Sequence, residues 1–220
     1  LLTGVFYALL AGTVTLAVAQ PQHWQILVIA FSSGFAASVT ALGLLPMIES
    51  FSSQLTPGKL IDLANQENAL LKRLKREAPG TYAHSMMVAD LTEEACKEIG
   101  AQPMLARVGA LYHDIGKLKR PGFFAENIHD LTQNPHLGLP PEASVRIIKE
   151  HVADGLQLAK ENSLPKDLAR FISEHHGTYQ IKYFYFQAQR RHESDPDSNP
   201  APQLEDFRYE GPVPQSRETA

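Results

Sequence analysis

The chain has 220 residues, 44% of them hydrophobic, with 20 basic side chains against 24 acidic ones. That near-neutral balance leaves no basic surplus for a nucleic-acid polymer, and a single cysteine, Cys96, excludes an intramolecular disulfide framework. The length holds one ordinary domain and something more.

The addition is N-terminal. Residues 1–48 contain no Lys, Arg, Asp or Glu, and charge begins at Glu49. The run Ile26–Leu45 is 20 residues long. At about 1.5 Å per residue it spans roughly 30 Å, the thickness of a bilayer's hydrocarbon core. Leu1–Val18 is a second apolar run, separated from the first by AQPQHWQ, where Pro21 and Trp24 suit an interfacial turn. The pattern predicts two transmembrane helices in a hairpin, with Ser32, Ser33, Gly34, Ser38 and Thr40 at helix–helix contacts. No basic segment precedes the apolar run as in a signal peptide, and the chain reads as a piece of a longer membrane protein. Lys59, Lys72, Arg73, Lys75 and Arg76 follow the second span and none lies in the hairpin loop. This predicts an inner (plasma) membrane location with the remainder in the cytoplasm.

Residues 49–80 form a connector. Thr56 is a candidate N-cap, Pro57 suits the first helical position, and Pro79-Gly80 suits a terminator. The helix expected over 57–76 carries an apolar stripe of Leu60, Leu63, Leu70, Leu71 and Leu74. That stripe packs on the following domain or, alternatively, pairs with a second copy in a homodimer.

From Tyr82 the apolar spacing is helical over 82–99, 103–117, 142–161, 165–176 and 180–192, with longer loops at 120–141 and 194–206. No alternating strand pattern and no internal repeat appears. The expected fold is all-α.

Within LYHDIGKLKRPG, residues 111–122, His113 and Asp114 project about 100° apart on a helix and reach one pocket. Lys117, three residues past Asp114, reaches the same place if the turn persists beyond Gly116. Other histidines occupy apolar stripes. His84 aligns with Val88, Leu91 and Ala95, His151 with Ile147 and Ile148, and His175 with Leu168, Phe171 and Ile172; His176 sits beside it before Gly177. Buried imidazoles without partners cost on the order of 1–3 kcal/mol each, and metal ions would supply those partners. His23, His129, His136 and His192 fall in predicted loops and read as surface residues, with His136 in the long loop beside the site.

The segments EAPGTYAHSMMVADL, ARVGALYHDIGKLKRPGFFAEN, RIIKEHVADGLQLAK, EHHGT, IKYFYFQA and FRYEGPVPQSRETA resemble the HD phosphohydrolase superfamily. Within it they are most similar to the seven-transmembrane HD hydrolases, membrane-anchored cyclic-di-AMP phosphodiesterases of the PgpH type. The resemblance runs from about Leu44 to Ala220. It implies a helical bundle over 81–220, truncated at its C-terminus, and the last two of seven membrane spans before it. It also implies that His84, His113 and Asp114 hold one divalent metal and His151, His175 and His176 a second, with Asp114 bridging. A final aspartate ligand would follow PQSRETA, beyond Ala220.

Mixed imidazole and carboxylate ligation favours transition metals, and the family suggests iron or manganese. Two such ions deprotonate a bridging water for in-line attack at phosphorus, which would open cyclic di-AMP to linear pApA. By this reading Asp114 and Lys117 are catalytic. Lys117 and Arg146 take phosphate oxygens, and Tyr179, Tyr183, Phe184, Tyr185 and Phe186 are candidates to stack adenine or fill core. The alternatives are another nucleotide, cyclic di-GMP or a (p)ppGpp-like alarmone, and a non-catalytic membrane signalling module.

Overall fold

The structure, a computed structural model, describes the backbone of residues 24–51 and 55–220 and side chains from Val28 to Leu44 and from Leu55 onward, Leu131 excepted. It forms two compact units, divided after Gln54. In the first, α1 (Trp24–Phe51) is a 28-residue helix. The hydroxyls of Ser32, Ser33, Ser38 and Thr40 bond to the carbonyls of Ile29, Ala30, Gly34 and Ala36 in their own helix. They are satisfied within the helix, and the neighbouring helix expected against these small residues lies outside the described residues.

The expected membrane hairpin is not supported by the described residues. Leu1–Val18 lies outside them, and among those described no helix is long and apolar enough to cross a membrane.

In the second unit the connector is two helices, α2 (Pro57–Ala64) and α3 (Ala69–Glu77), where the sequence suggested one. Asparagine chemistry makes the break: Asn65 Oδ1 accepts from the Glu67 amide at 2.9 Å, and Asn68 caps α3 through the Leu70 amide at 3.0 Å. Thr56 caps α2 as expected. Pro79-Gly80 opens the next helix, α4 (Pro79–Ile99), with the proline at its first turn, where its missing N–H costs nothing. The five connector leucines are all buried in the domain's own core, so the stripe is spent within the chain and gives no support to pairing with a second copy.

Beyond α4 come α5 (Pro103–Tyr112), α6 (Pro141–Glu161), α7 (Lys166–Glu174) and α8 (Lys182–Ser194). The long loop 120–141 is not structureless: it contains four short 3-10 turns, Pro121–Phe123, Ala125–Asn127, Leu131–Gln133 and Pro135–Gly138. The described residues hold no named strand; one antiparallel bridge joins Gln180 to Arg208. All-α is therefore the observed class.

The buried face of α4 is Thr81, Ser85, Ala89 and Cys96, small residues that let α4 lie close on α5. The stripe expected to be buried points the other way: His84, Leu91 and Ala95 are exposed and Val88 is half-buried. Periodicity located an apolar stripe, and the small side chains decided which face packs.

Two glycines set the depth of the packing. A Cβ at Gly116 would collide with the His151 carbonyl and the Gly155 amide of α6, and one at Gly109 with the Phe171 ring of α7. Backbone therefore touches backbone where the turn after Asp114 crosses α6.

Candidate metal centre

α5 ends at Tyr112, and the chain turns sharply: His113 remains helical at φ −55°, ψ −33°, while Asp114 adopts φ −108°, ψ 15°, a conformation common at active sites. A 3-10 turn, Ile115–Lys119, follows. This geometry aims Asp114 at α6 and α7 instead of along α5.

Asp114 is 2% exposed, and its two oxygens face different partners. Oδ2 lies 3.1 Å from His113 Nε2 and 4.0 Å from His84 Nε2, whereas Oδ1 lies 3.4 Å from His151 Nε2 and 3.6 Å from His175 Nε2. Two groups share this carboxylate, His84–His113–Asp114 and Asp114–His151–His175–His176, each with its ligand atoms within 4.8 Å of one another. The structure brings together all six of the expected ligands that lie within residues 1–220.

The hydrogen bonds behind the rings fix their tautomers. Nδ1 of His113 meets the Ala110 carbonyl at 2.6 Å, Nδ1 of His151 the Ile148 carbonyl at 2.5 Å, and Nδ1 of His175 the carbonyls of Ile172 and Phe171 at 3.0 and 3.1 Å. A carbonyl only accepts, so each Nδ1 carries the proton, and Nε2 is the nitrogen that bears the lone pair whenever the ring is neutral. His151 and His175 point those lone pairs at each other, 3.3 Å apart, and at Asp114 Oδ1, a buried oxygen without a hydrogen-bond partner. Three acceptors converge with no donor among them. A divalent cation satisfies all three, and this back-bonded histidine arrangement is the usual support of such a site.

Protonation follows the same division. Burial, with the neighbouring His175, drives the His176 ring well below the ordinary imidazole range. Burial takes His151 down to about 4. Burial also lowers His84. His113 goes up, because the Asp114 carboxylate outweighs its desolvation. Burial opposes ionisation of Asp114, but His113 and Lys117 hold its carboxyl well below the usual range. The rings with lowered pKa, His84, His151 and His176, would release few protons on binding a metal, and His113 more.

Lys117 Nζ sits 2.8 Å from Asp114 Oδ2 and 2.8 Å from Glu126 Oε1. Beside His176 opens a cavity of about 480 Å³ whose walls include Arg146, Lys149, Glu150, Gly177 and Tyr209. Lys149 pairs with Glu210, and Arg120 with Glu150; Arg146 has no ion-pair partner among the described residues. Tyr179 is 62% exposed and does not line this cavity. Tyr183 and Phe186 are exposed, whereas Phe184 is core. His136 is buried, against expectation, with Nε2 2.8 Å from the Phe123 carbonyl and its ring between Phe123 and Phe184. It belongs to the core beneath the long loop and to neither histidine cluster.

Sequence reasoning passed over Glu126, Thr81 and Asn127, which frame Lys117, and Tyr209, which stacks on His176 at 4.0 Å and 14°. Tyr209 arrives through the bridge at Gln180 and the bond from its own amide to the Tyr179 carbonyl, 3.0 Å.

The sequence pattern of the HD domain matches residues 81–215. The chain is 45% identical over 192 residues to the cyclic-di-AMP phosphodiesterase PgpH of Listeria monocytogenes, covering 87% of this chain and 26% of that protein. It is 40% identical over 226 residues to PgpH of Bacillus subtilis, covering 99% and 31% respectively. The chain thus spans about a quarter to a third of these relatives' length. The crystal structure of the L. monocytogenes PgpH HD domain in complex with cyclic-di-AMP superposes with a TM-score of 0.63 at 46% identity, covering 70% of this chain and 69% of that one.

Proposed function

The chain belongs to the HD domain family, and from that premise we propose that it is a metal-dependent phosphodiesterase hydrolysing cyclic di-AMP to linear pApA. The observation that carries the reading is the convergence of Asp114 Oδ1, His151 Nε2 and His175 Nε2 without a donor among them. The names of two similar proteins, and a similar domain crystallised with cyclic-di-AMP, support the substrate.

His84, His113 and Asp114 would hold one ion, and His151, His175 and His176 with Asp114 a second; this donor set suits iron or manganese. When bound, the ions supply Lewis-acid charge at a phosphoryl group and lower the pKa of a water. Asp114 contributes one oxygen to each cluster, so a single buried carboxylate fixes their spacing. Lys117 places a permanent positive charge at the edge of the first cluster, where a non-bridging phosphate oxygen would lie. Arg146, on the cavity wall without an ion-pair partner among the described residues, suits the second phosphate of a cyclic dinucleotide. Tyr179, exposed beyond Gly177, would reach an adenine only at the cavity's rim. Membrane anchoring with the HD domain in the cytoplasm belongs to this proposal on the charge-free stretch 1–48 alone.

Cyclic di-GMP or a (p)ppGpp-like alarmone would use the same ligands, and a non-catalytic module would not need them. Turnover of the three nucleotides should be compared side by side in the full-length protein with Mn²⁺, with Asp114→Ala as control. Fastest release of pApA from cyclic di-AMP, abolished in the variant, is expected. Faster hydrolysis of another nucleotide would replace the substrate, and no hydrolysis of any would favour the module.

A further inference from the structure

Lys117 stands between two carboxylates that are held very differently. Glu126 Oε1 accepts from the Thr81 hydroxyl at 3.0 Å as well as from Lys117. That hydroxyl accepts from Asn127 Nδ2 at 2.8 Å, and Asn127 Oδ1 takes the amides of Gly80 and Thr81 at 2.9 and 3.1 Å. A Cβ at Gly80 would strike the Glu126 carbonyl, so the Ala125–Asn127 turn is seated directly on the first turn of α4. Thr81 is fully buried. Glu126 is therefore fixed by a frame on the first turn of α4 and not by a ligand of the centre. Asp114 Oδ2 is instead a donor atom of the His84–His113–Asp114 cluster.

A divalent cation bound at Asp114 Oδ2 would repel the ammonium that stands 2.8 Å from that oxygen. The Lys117 side chain is only 13% exposed, and a buried ammonium stripped of its anion is strongly unfavourable. It needs a second seat. Glu126 offers one already in contact, with the Phe124 ring lying under the ammonium, 5.0 Å to the centroid.

We propose that Glu126 is a positioning residue that retains Lys117 when Asp114 Oδ2 turns to a divalent cation. It keeps the ammonium paired at the rim of the centre with donors left for a phosphate oxygen. Without that negative charge Lys117 remains on Asp114, where its charge opposes a cation at the same oxygen. This rests on the metal-site reading above.

The test needs no turnover. Mn²⁺ alone is titrated into the metal-free full-length protein as wild type, Glu126→Gln, Lys117→Met and the double variant. Glu126→Gln is expected to weaken binding at the first cluster by about tenfold, in the range seen when partners of metal ligands are removed. The double variant should bind no more weakly than Lys117→Met, because with the ammonium gone Glu126 has nothing to hold. A purely structural role would weaken binding in both backgrounds alike. Thr81→Val, which loosens the carboxylate without removing its charge, should shift affinity in the same direction by less and serves if Glu126→Gln folds poorly. Undiminished affinity in both Glu126→Gln and Thr81→Val, or an equal loss with and without Lys117, overturns the proposal. Failure of the wild type to bind Mn²⁺ overturns the metal-site reading itself, and this inference with it.

Discussion

His151 and His175 turn their Nε2 atoms toward each other at 3.3 Å while each Nδ1 is engaged by a backbone carbonyl. Two neutral imidazoles so arranged oppose lone pair to lone pair, which is unfavourable until a cation enters. Replacing Asp114 with Ala removes the oxygen shared by both clusters and is expected to abolish binding at both. His151→Ala should empty the second cluster and leave the first measurable. Metal content by elemental analysis, with circular dichroism to verify folding, distinguishes these outcomes.

Acid should destabilise the metal-free domain. The folded pKa of His151, about 4, lies below its ordinary 6.5, so between those values the unfolded chain binds the extra proton and stability falls as pH falls. Asp114, held well below 3.8, extends the loss to lower pH. His113, raised above 6.5, opposes it, with stability present below 6.5 and lost as pH rises through its folded value. Net loss from pH 6.5 to 4 in urea midpoints is expected, and bound Mn²⁺ should steepen it because protons compete for the His113 nitrogen, whose pKa is raised. A flat profile in the metal-free protein would contradict the assignment of His151 as buried and neutral.

Gly116 lies where two backbones meet, and Gly116→Ala forces the Asp114 turn away from α6. A loss of about 3 kcal/mol is expected from such overpacking, together with weakened metal binding, since the same displacement separates Asp114 from His151. Retention of both stability and affinity would show that the contact is slack.

Tyr112, fully buried, donates its hydroxyl to the Leu63 carbonyl at 2.8 Å and so ties α2 to the residue preceding His113. Tyr112→Phe leaves that carbonyl without its partner and should cost about 1–3 kcal/mol in chemical denaturation.

Arg146→Ala is expected to raise KM for cyclic di-AMP by about tenfold, or ~1.4 kcal/mol, with kcat little changed, as for a group binding ground and transition states alike. An unaltered KM would return Arg146 to the role of a solvated surface residue.

All six metal-binding candidates were legible in the sequence because each sits at a helix end or on a helical stripe, where spacing carries information. His84 shows the limit of that signal: its stripe was assigned to the core, yet its side chain is 46% exposed. Thr81, Ser85 and Ala89 packed instead because small residues allow closer approach of α4 to α5. Glu126 and Tyr209 were missed because Glu126 reaches Lys117 from a short turn in the long loop and Tyr209 arrives through an isolated bridge. Neither contact leaves a periodic trace. The break at Asn65–Asn68 was legible in principle, since two asparagines flanking a short polar turn are a turn signal, but the leucine stripe continues through it.

Anomalous diffraction from crystals of the full-length protein or its HD domain grown with Mn²⁺ tests the central claim most directly. Two peaks flanking Asp114, about 3.5–4 Å apart, one toward His84 and His113 and the other toward His151, His175 and His176, are predicted. A single peak not touching Asp114, or none at these histidines, would contradict the account.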